Sequence, residues 1–379
     1  MEQSAPTICI GLMSGTSLDG VDAVAADFSG PVPVIRGRSH EPFDPALKAE
    51  LLALCRPGEN ELERSGEAAQ ALARAYARAV DSLIASARIP RAAVRAVGAH
   101  GQTVRHVPSK HFSIQLNSPS LLAELTGFDV IADFRSADLA AGGEGAPLVP
   151  AFHQKVFQSE SARRAIVNIG GIANITFLPP ARSGEKVYGF DCGPGNMLMD
   201  AWAQARIGRP YDEDGAWAAS GTRQNDLLDL MLAEPYFRLA PPKSTGRELF
   251  SFEWLKERLG ACARSMRARD IEATLLTLTA RGIADAIAAW GPATSEVYLC
   301  GGGALNPVLA KEIAALMPTR HVQSTDALGI RPMDVEGLAF AWLAHAWLER
   351  EPANCPEVTG AAGPRRLGAL YPASGAGGS

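Results

Sequence analysis

No apolar run in the chain approaches the ~18 residues that would suggest a membrane span. The N-terminus, Met-Glu-Gln-Ser-Ala-Pro, has neither the positive n-region nor the long apolar h-region of a signal peptide. Cysteines are scattered: Cys9, Cys55, Cys192, Cys262, Cys300 and Cys355 form no C-x-x-C pair, and no histidine stands at metal-ligand spacing from them. Reduced, mostly buried thiols in a reducing cytosol are therefore expected. Positive charge is not in excess either. A net charge of −5 and a pI near 5.9 leave no basic footprint for nucleic acid, and local runs such as Arg163-Arg164 read as solvated faces. The expectation is a cytoplasmic globular protein with no nucleic-acid or membrane partner.

What is present is an ordinary soluble composition, 47% apolar and 20% charged over 379 residues. That length is enough for two domains, each with its own core. Short apolar runs at 8–10 and 21–28 predict two strands flanking a loop. Leu72, Tyr76, Val80, Leu83 and Ala87 recur at steps of three and four, which predicts a helix over 67–87. Further strands are expected at 94–99, 129–132, 165–169, 174–178, 186–190 and 296–300. Helices are expected at 148–157, 271–290 with Asp270 as N-cap, and 335–348. Strands and helices mix throughout, so the class is α/β. Each half opens with strand, glycine-rich turn, strand, and a connector is expected at 158–164.

Four strand ends finish in glycine-containing turns: 11–20, 168–174, 191–196 and 301–306. Glycine lets backbone amides approach phosphate oxygens closely. One such turn usually only reverses the chain, but four, several of them carrying Asp, Asn, Ser or Thr, point to a nucleotide site. The common designs are absent. There is no G-x-x-x-x-G-K-[ST] string, no G-x-G-x-x-G at the first strand, and no protein-kinase signature set. The first loop, C-I-G-L-M-S-G-T-S-L-D-G-V-D over 9–22, contains no lysine at all.

Five segments carry a resemblance. They are M-S-G-T-S-L-D-G-V-D (13–22), the stretch A-D-F-R-x-x-D-x-A-A-G-G-E-G-A-P-L-V-P (132–150), N-I-G-G-I-A-N (168–174), F-D-C-G-P-G-N (190–196) and L-C-G-G-G-A-L-N (299–306). In this order, across nearly the whole chain, they resemble the anhydro-N-acetylmuramic acid kinases of the actin-like, hexokinase-like ATPase superfamily. The resemblance implies two actin-like (ribonuclease H-like) lobes, each a mixed sheet with flanking helices, holding ATP and sugar in the cleft between them. It implies an N-terminal lobe over 1–160, a C-terminal lobe over 161–334, a helical segment over 335–372 returning to the first lobe, and a disordered tail over 373–379. It also implies a homodimer. The activity implied is ATP-dependent opening of the 1,6-anhydro ring of anhydro-N-acetylmuramate by water with phosphorylation of O6. The product would be N-acetylmuramate 6-phosphate, in cell-wall recycling.

The resemblance also assigns roles. Asp191 becomes the catalytic base, with Glu336 sharing the water. Ser14, Gly15, Thr16 and Ser17 supply amides and hydroxyls to the β- and γ-phosphates, in a loop with Gly11, Met13, Asp19 and Gly20. Asp19 and Asp22 are candidates to hold Mg²⁺, through water because Mg²⁺ keeps several waters, with a structural role in the turn an equal alternative for Asp22. Gly170 and Gly171 line a second phosphate turn beside Gly193 and Gly195. Gly301, Gly302, Gly303 and Asn306 form the adenosine end. His100, Gln102, Asp133 and Arg135 face the sugar, and Arg135 is the candidate partner of the lactyl carboxylate. For Arg135 a structural salt bridge with Asp133 or Asp138 is an equal alternative, and for Glu336 the alternative is an exposed helix-start glutamate. Cys192 stands where threonine is expected, which would weaken any hydroxyl contact to phosphate.

Overall fold

The computed structural model describes residues 7–15, 18–246, 249–260 and 266–374. The chain divides into two compact units, residues 1–156 with 334–379, and residues 157–333. In the first, the strands in chain order are β1 (Ile8–Met13), β2 (Gly20–Asp27), β3 (Val34–Pro42), β4 (Val94–Ala99), β5 (Gln102–Val107), β6 (Phe112–Leu116) and β7 (Val130–Ala132). β1, β2 and β3 form an antiparallel meander, β4 joins β1 in parallel, and β7 joins β4 in parallel. Ala369–Tyr371 closes that edge antiparallel to β7, while β5 and β6 form a separate hairpin.

The two faces of this sheet are covered differently. Ile10, Leu12, Val21 and Ala23 pack with Leu72, Tyr76, Val80 and Leu83 of the helix Glu61–Ala87 in one apolar core. That helix starts earlier than the apolar spacing predicts, because Glu61 and Glu63 favour its N-terminal end and the alanine-rich run propagates it. The other face takes the helix Asp334–Leu348 at unusually close range. A Cβ on Gly11 of β1 would lie 1.9 Å from the Gly337 carbonyl oxygen, and one on Gly98 of β4 would lie 2.2 Å from that of Phe340. The helix backbone thus occupies space that side chains hold elsewhere.

The second unit holds β8 (Arg164–Ile169), β9 (Ile172–Leu178), β10 (Tyr188–Pro194), β11 (Glu296–Cys300) and β12 (His321–Ser324), in the order β10-β9-β8-β11-β12. β8 to β10 are an antiparallel meander, and β11 and β12 add in parallel. The first unit has the same plan, β3-β2-β1-β4-β7. The α/β class with two mixed sheets is therefore as expected, and each sheet contains three antiparallel strands followed by two parallel ones.

Several local expectations are corrected. The long helix of the second unit is Ala268–Trp290, with Arg267 at the N-cap position rather than Asp270. Asp270 lies inside the first turn, where it accepts from the Thr222 amide (2.9 Å) and pairs with Arg267 (2.8 Å), so it fastens a neighbouring segment to the helix. β3 and the β5–β6 hairpin are strands that apolar runs did not announce. β3 is an edge whose exposed residues include Arg36, Arg38 and His40, which suits an unpaired edge. Of the tail expected to be disordered, Ala373 donates to Asp129 (2.9 Å) and Ser374 to Glu124 (2.7 Å), while 375–379 lie outside the described residues. Among the described residues, no helix is long and apolar enough to cross a membrane.

Candidate active site

In the first unit, the loop between β1 and β2 leaves the sheet after Met13, which pairs with Asp22. Thr16 and Ser17 lie outside the described residues. Ser14 is buried, and its hydroxyl points inward. It lies 2.9 Å from the Tyr76 hydroxyl and donates to the Gly101 carbonyl at 3.4 Å. The Gly15 carbonyl accepts from the Leu18 amide (3.2 Å) and from Gln102 Nε2 (3.4 Å). Gly11 is committed to the close helix approach, and a Cβ on Gly20 would meet the Glu41 carbonyl at 2.3 Å and the His40 ring at 2.9 Å. At both glycines the space a Cβ would take is filled by protein.

Asp19 accepts from Lys48 Nζ (2.8 Å), and Asp22 is 2.8 Å from His40 Nδ1. The two acids share no partner. Their side chains are 66% and 43% exposed, so a hydrated ion can reach either. Among the described residues no group of three or more His, Cys, Asp or Glu could hold a metal ion. The donor set therefore fits Mg²⁺ carried in on phosphate oxygens and waters, and does not fit a dry all-protein cage.

Beyond β4 the chain turns through His100, Gly101 and Gln102. The Arg135 guanidinium donates to His100 Nε2 (2.9 Å) and to the Gly145 carbonyl (2.7 Å). Because Nε2 accepts, the ring proton sits on Nδ1. Burial, helped by the Arg135 charge, holds His100 well below its ordinary 6.5, so the imidazole is neutral. Burial also lowers Arg135 to about 10, partly opposed by Asp138, which leaves it charged at neutral pH. Neither Asp133 nor Asp138 forms an ion pair with it. Asp133 is exposed and accepts from Ser136 (2.5 Å). Asp138 is fully buried and accepts from the Gly145 amide, Asn354 and Thr359, each at 2.8 Å. Three buried polar atoms in this cluster have no partner: His100 Nδ1, Arg135 Nε and Gln102 Oε1. Two donors and one acceptor thus remain for a ligand. Glu336 is half-buried in the first turn of Asp334–Leu348.

In the second unit Asp191 lies within β10, not beyond it. The strand is irregular there: Asp191 faces Asn174, Gly193 faces Ala173, and Cys192 is the extra residue. Such bulges re-aim a side chain. Thr245 donates its amide to Asp191 Oδ2 (3.1 Å), Asp191 donates its own amide to the Lys243 carbonyl (3.3 Å), and Tyr236 donates to the Asp191 carbonyl (2.7 Å). Cys192 turns into the core and donates to the Ala173 carbonyl (3.2 Å), and burial raises its thiol pKa. A threonine hydroxyl in that rotamer would meet the same carbonyl, so the cysteine removes no outward-facing group.

The turns at 168–174 and 191–196 are joined backbone to backbone, and the 301–306 turn packs beside them. Gly170 and Gly171 accept through their carbonyls from the amides of Asn196 (2.8 Å) and Gly195 (2.9 Å). A Cβ on Gly195 would lie 2.3 Å from the Gly170 oxygen, one on Gly193 2.7 Å from Phe237, and one on Gly303 2.3 Å from Ile169. Gly301 has φ +77, and its Cβ would sit 2.3 Å from Asn168 Oδ1. Gly170 and Gly302 differ, for a Cβ there would meet nothing closer than 3.5 and 3.8 Å. Asn306 caps the helix Pro307–Leu316, accepting from the amides of Val308 (3.1 Å) and Leu309 (3.0 Å).

The structure thus joins Ser14, Gly15, His100, Gln102 and Arg135 in one network within the first unit. Within the second it joins the three glycine turns. Asp19 and Asp22 stand apart. Sequence reasoning missed Tyr76, which reads as one more core position of its helix, and the segment Lys243–Thr245, which follows no recognisable strand.

The sequence model of the family described as anhydro-N-acetylmuramic acid kinase matches residues 7–373. A protein of that name from Pseudomonas paraeruginosa (strain DSM 24068 / PA7) is 52% identical over 364 residues, covering 96% of this chain and 98% of its own. Others of that name include one from Bordetella petrii, 54% identical over 96% of each chain, and one from Nitrosomonas europaea, 52% identical over 96% of this chain and 99% of its own. With motif order, sheet plan and these likenesses in agreement, the chain belongs to the anhydro-N-acetylmuramic acid kinase family.

Proposed function

We propose that this protein uses ATP to open the 1,6-anhydro ring of anhydro-N-acetylmuramate and to phosphorylate O6. Water adds to C1, the C1–O6 bond breaks, and the freed O6 bonds the γ-phosphorus as the bond to ADP breaks. Asp191 takes the water proton; the Thr245 amide orients its carboxylate. Glu336 assists in placing the water. The amides of the 14–17 loop and the turns at Gly170 and Gly302 hold phosphates and nucleotide. Asp19 and Asp22 would hold Mg²⁺ through water, and the ion would offset phosphate charge when bound.

The observation that carries the reading is Arg135, a charged guanidinium with no carboxylate partner among the described residues, whose buried Nε lacks a bond beside a neutral His100. An acidic sugar supplies the missing acceptor, and the lactyl carboxylate suits a guanidinium. The reading includes a cytoplasmic homodimer. Sedimentation of the purified protein tests the dimer.

The test is incubation with Mg²⁺-ATP and the anhydro-sugar in ¹⁸O-water, followed by mass spectrometry. ADP and a ring-opened 6-phosphosugar labelled at C1, with unlabelled phosphate, are expected. Release of inorganic phosphate with the sugar unchanged, or label in the phosphate, would overturn the reading.

A further inference from the structure

Tyr76 lies at mid-helix in Glu61–Ala87 and is fully buried, as an apolar core residue would be. Its hydroxyl nevertheless has a specific partner, the hydroxyl of Ser14 at 2.9 Å. Ser14 in turn donates to the carbonyl of Gly101 at 3.4 Å. With that proton spent, the Tyr76 phenol is the donor to Ser14, and burial keeps the phenol protonated by raising its pKa. The result is a directed chain from Tyr76 through Ser14 to Gly101. A second link lies alongside, where Gln102 Nε2 donates to the Gly15 carbonyl at 3.4 Å. A third runs in the backbone from the His100 amide to the Leu12 carbonyl at 3.1 Å.

These links tie two segments that the proposed chemistry uses for different ligands. Leu12 to Gly15 lead into the phosphate loop, while His100 to Gln102 face the sugar. The turn has little room to shift by itself. Gly101 has φ +80, and a Cβ there would lie 2.6 Å from the Leu116 carbonyl oxygen. Movement of the loop at Ser14 and Gly15 is therefore passed on to His100 and Gln102.

Resting on the kinase reading above, we propose that Tyr76 is a positioning residue that couples the nucleotide loop to the sugar-binding turn. Phosphate seated against Ser14 and Gly15 then presets the turn, and each ligand raises the affinity of the other by the same factor. Tyr76 touches neither ligand.

The experiment is calorimetric titration of the anhydro-sugar into the full protein, with and without Mg²⁺ and a non-hydrolysable ATP analogue. The wild type is expected to bind the sugar about 5- to 100-fold more tightly when the analogue is present. In Tyr76→Phe that factor falls by about two- to tenfold, the size of one hydrogen bond, because Ser14 loses the donor that holds it on Gly101. Each ligand alone still binds. Tyr76→Leu also deletes the hydroxyl while keeping an apolar side chain in the core and has the same effect, so the proposal stays testable if the phenylalanine variant fails to fold. An unchanged coupling factor in the variants, or no coupling in a wild type that binds both ligands, would overturn it. A wild type that binds neither ligand would refute the kinase reading instead, and the inference with it.

Discussion

Glu272 lies in the first turns of the helix Ala268–Trp290, is fully buried, and has no hydrogen-bond partner on either carboxylate oxygen. Burial, reinforced by the negative charges of Asp212 and Asp200, pushes its carboxyl from 4.5 to about 9. Because the folded-state value is raised, the native protein binds this proton more tightly than the unfolded chain. The stabilisation is complete below about pH 4.5 and is lost as pH rises towards about 9. The loss runs at about 1.4 kcal/mol per pH unit, or about 2.7 kcal/mol between about pH 6 and about pH 8. For a body of this size, 1 kcal/mol shifts Tm by about 2–4 °C, so the group accounts for a fall of about 5–10 °C over that interval. Glu272→Gln keeps the shape and cannot ionise. Thermal melts followed by fluorescence of Trp202, Trp217 and Trp254, which lie in the same unit, should therefore fall less with pH in the variant by that amount. Parallel Tm–pH curves for the two proteins would refute the reasoning.

Substitutions at three other positions separate packing from ligand roles. Gly11→Ala forces a methyl to 1.9 Å from the Gly337 oxygen, and it should cost about 1–3 kcal/mol or more, read as a lowered Tm; wild-type melting would contradict the helix approach. Arg135→Ala should raise KM for the anhydro-sugar at least about tenfold and leave KM for ATP within about twofold. Arg135→Lys should not restore sugar binding, because the fork of donors is lost; an unchanged sugar KM in the alanine variant would remove Arg135 from the site. Asn306→Ala removes the cap from Val308 and Leu309 and should destabilise by about 1 kcal/mol with little effect on KM for ATP. A large rise in that KM would mean that Asn306 serves the nucleotide.

Much of the architecture was legible because it depends on local pattern. The doubling of the sheet plan shows in the sequence as strand, glycine turn, strand at the head of each half. What escaped notice depends on distant partners. β3 carries charges on its exposed edge, so it lacks the apolar run that marks a strand. Gly11 and Gly20 sit in a loop motif that reads as phosphate-binding, yet the space beside each is filled by chain far off in sequence, Gly337 and His40. Asp270 has the type and place of an N-cap, but Thr222 claims it. Tyr76 fits the helical spacing so well that its hydroxyl drew no notice. For Arg135 a salt bridge to Asp133 or Asp138 reads plausibly from the sequence, and only the commitments of those two acids elsewhere argue against it.

The central claim is that Asp191 activates the water that opens the ring, and Asp191→Asn tests it most directly. The amide keeps the volume and can still accept from the Thr245 amide, so the fold and the affinity for the ATP analogue should be those of the wild type. Turnover of ATP and anhydro-sugar to ADP and ring-opened 6-phosphosugar should be abolished. A folded Asp191→Asn protein that forms this product at near wild-type rate would contradict the account.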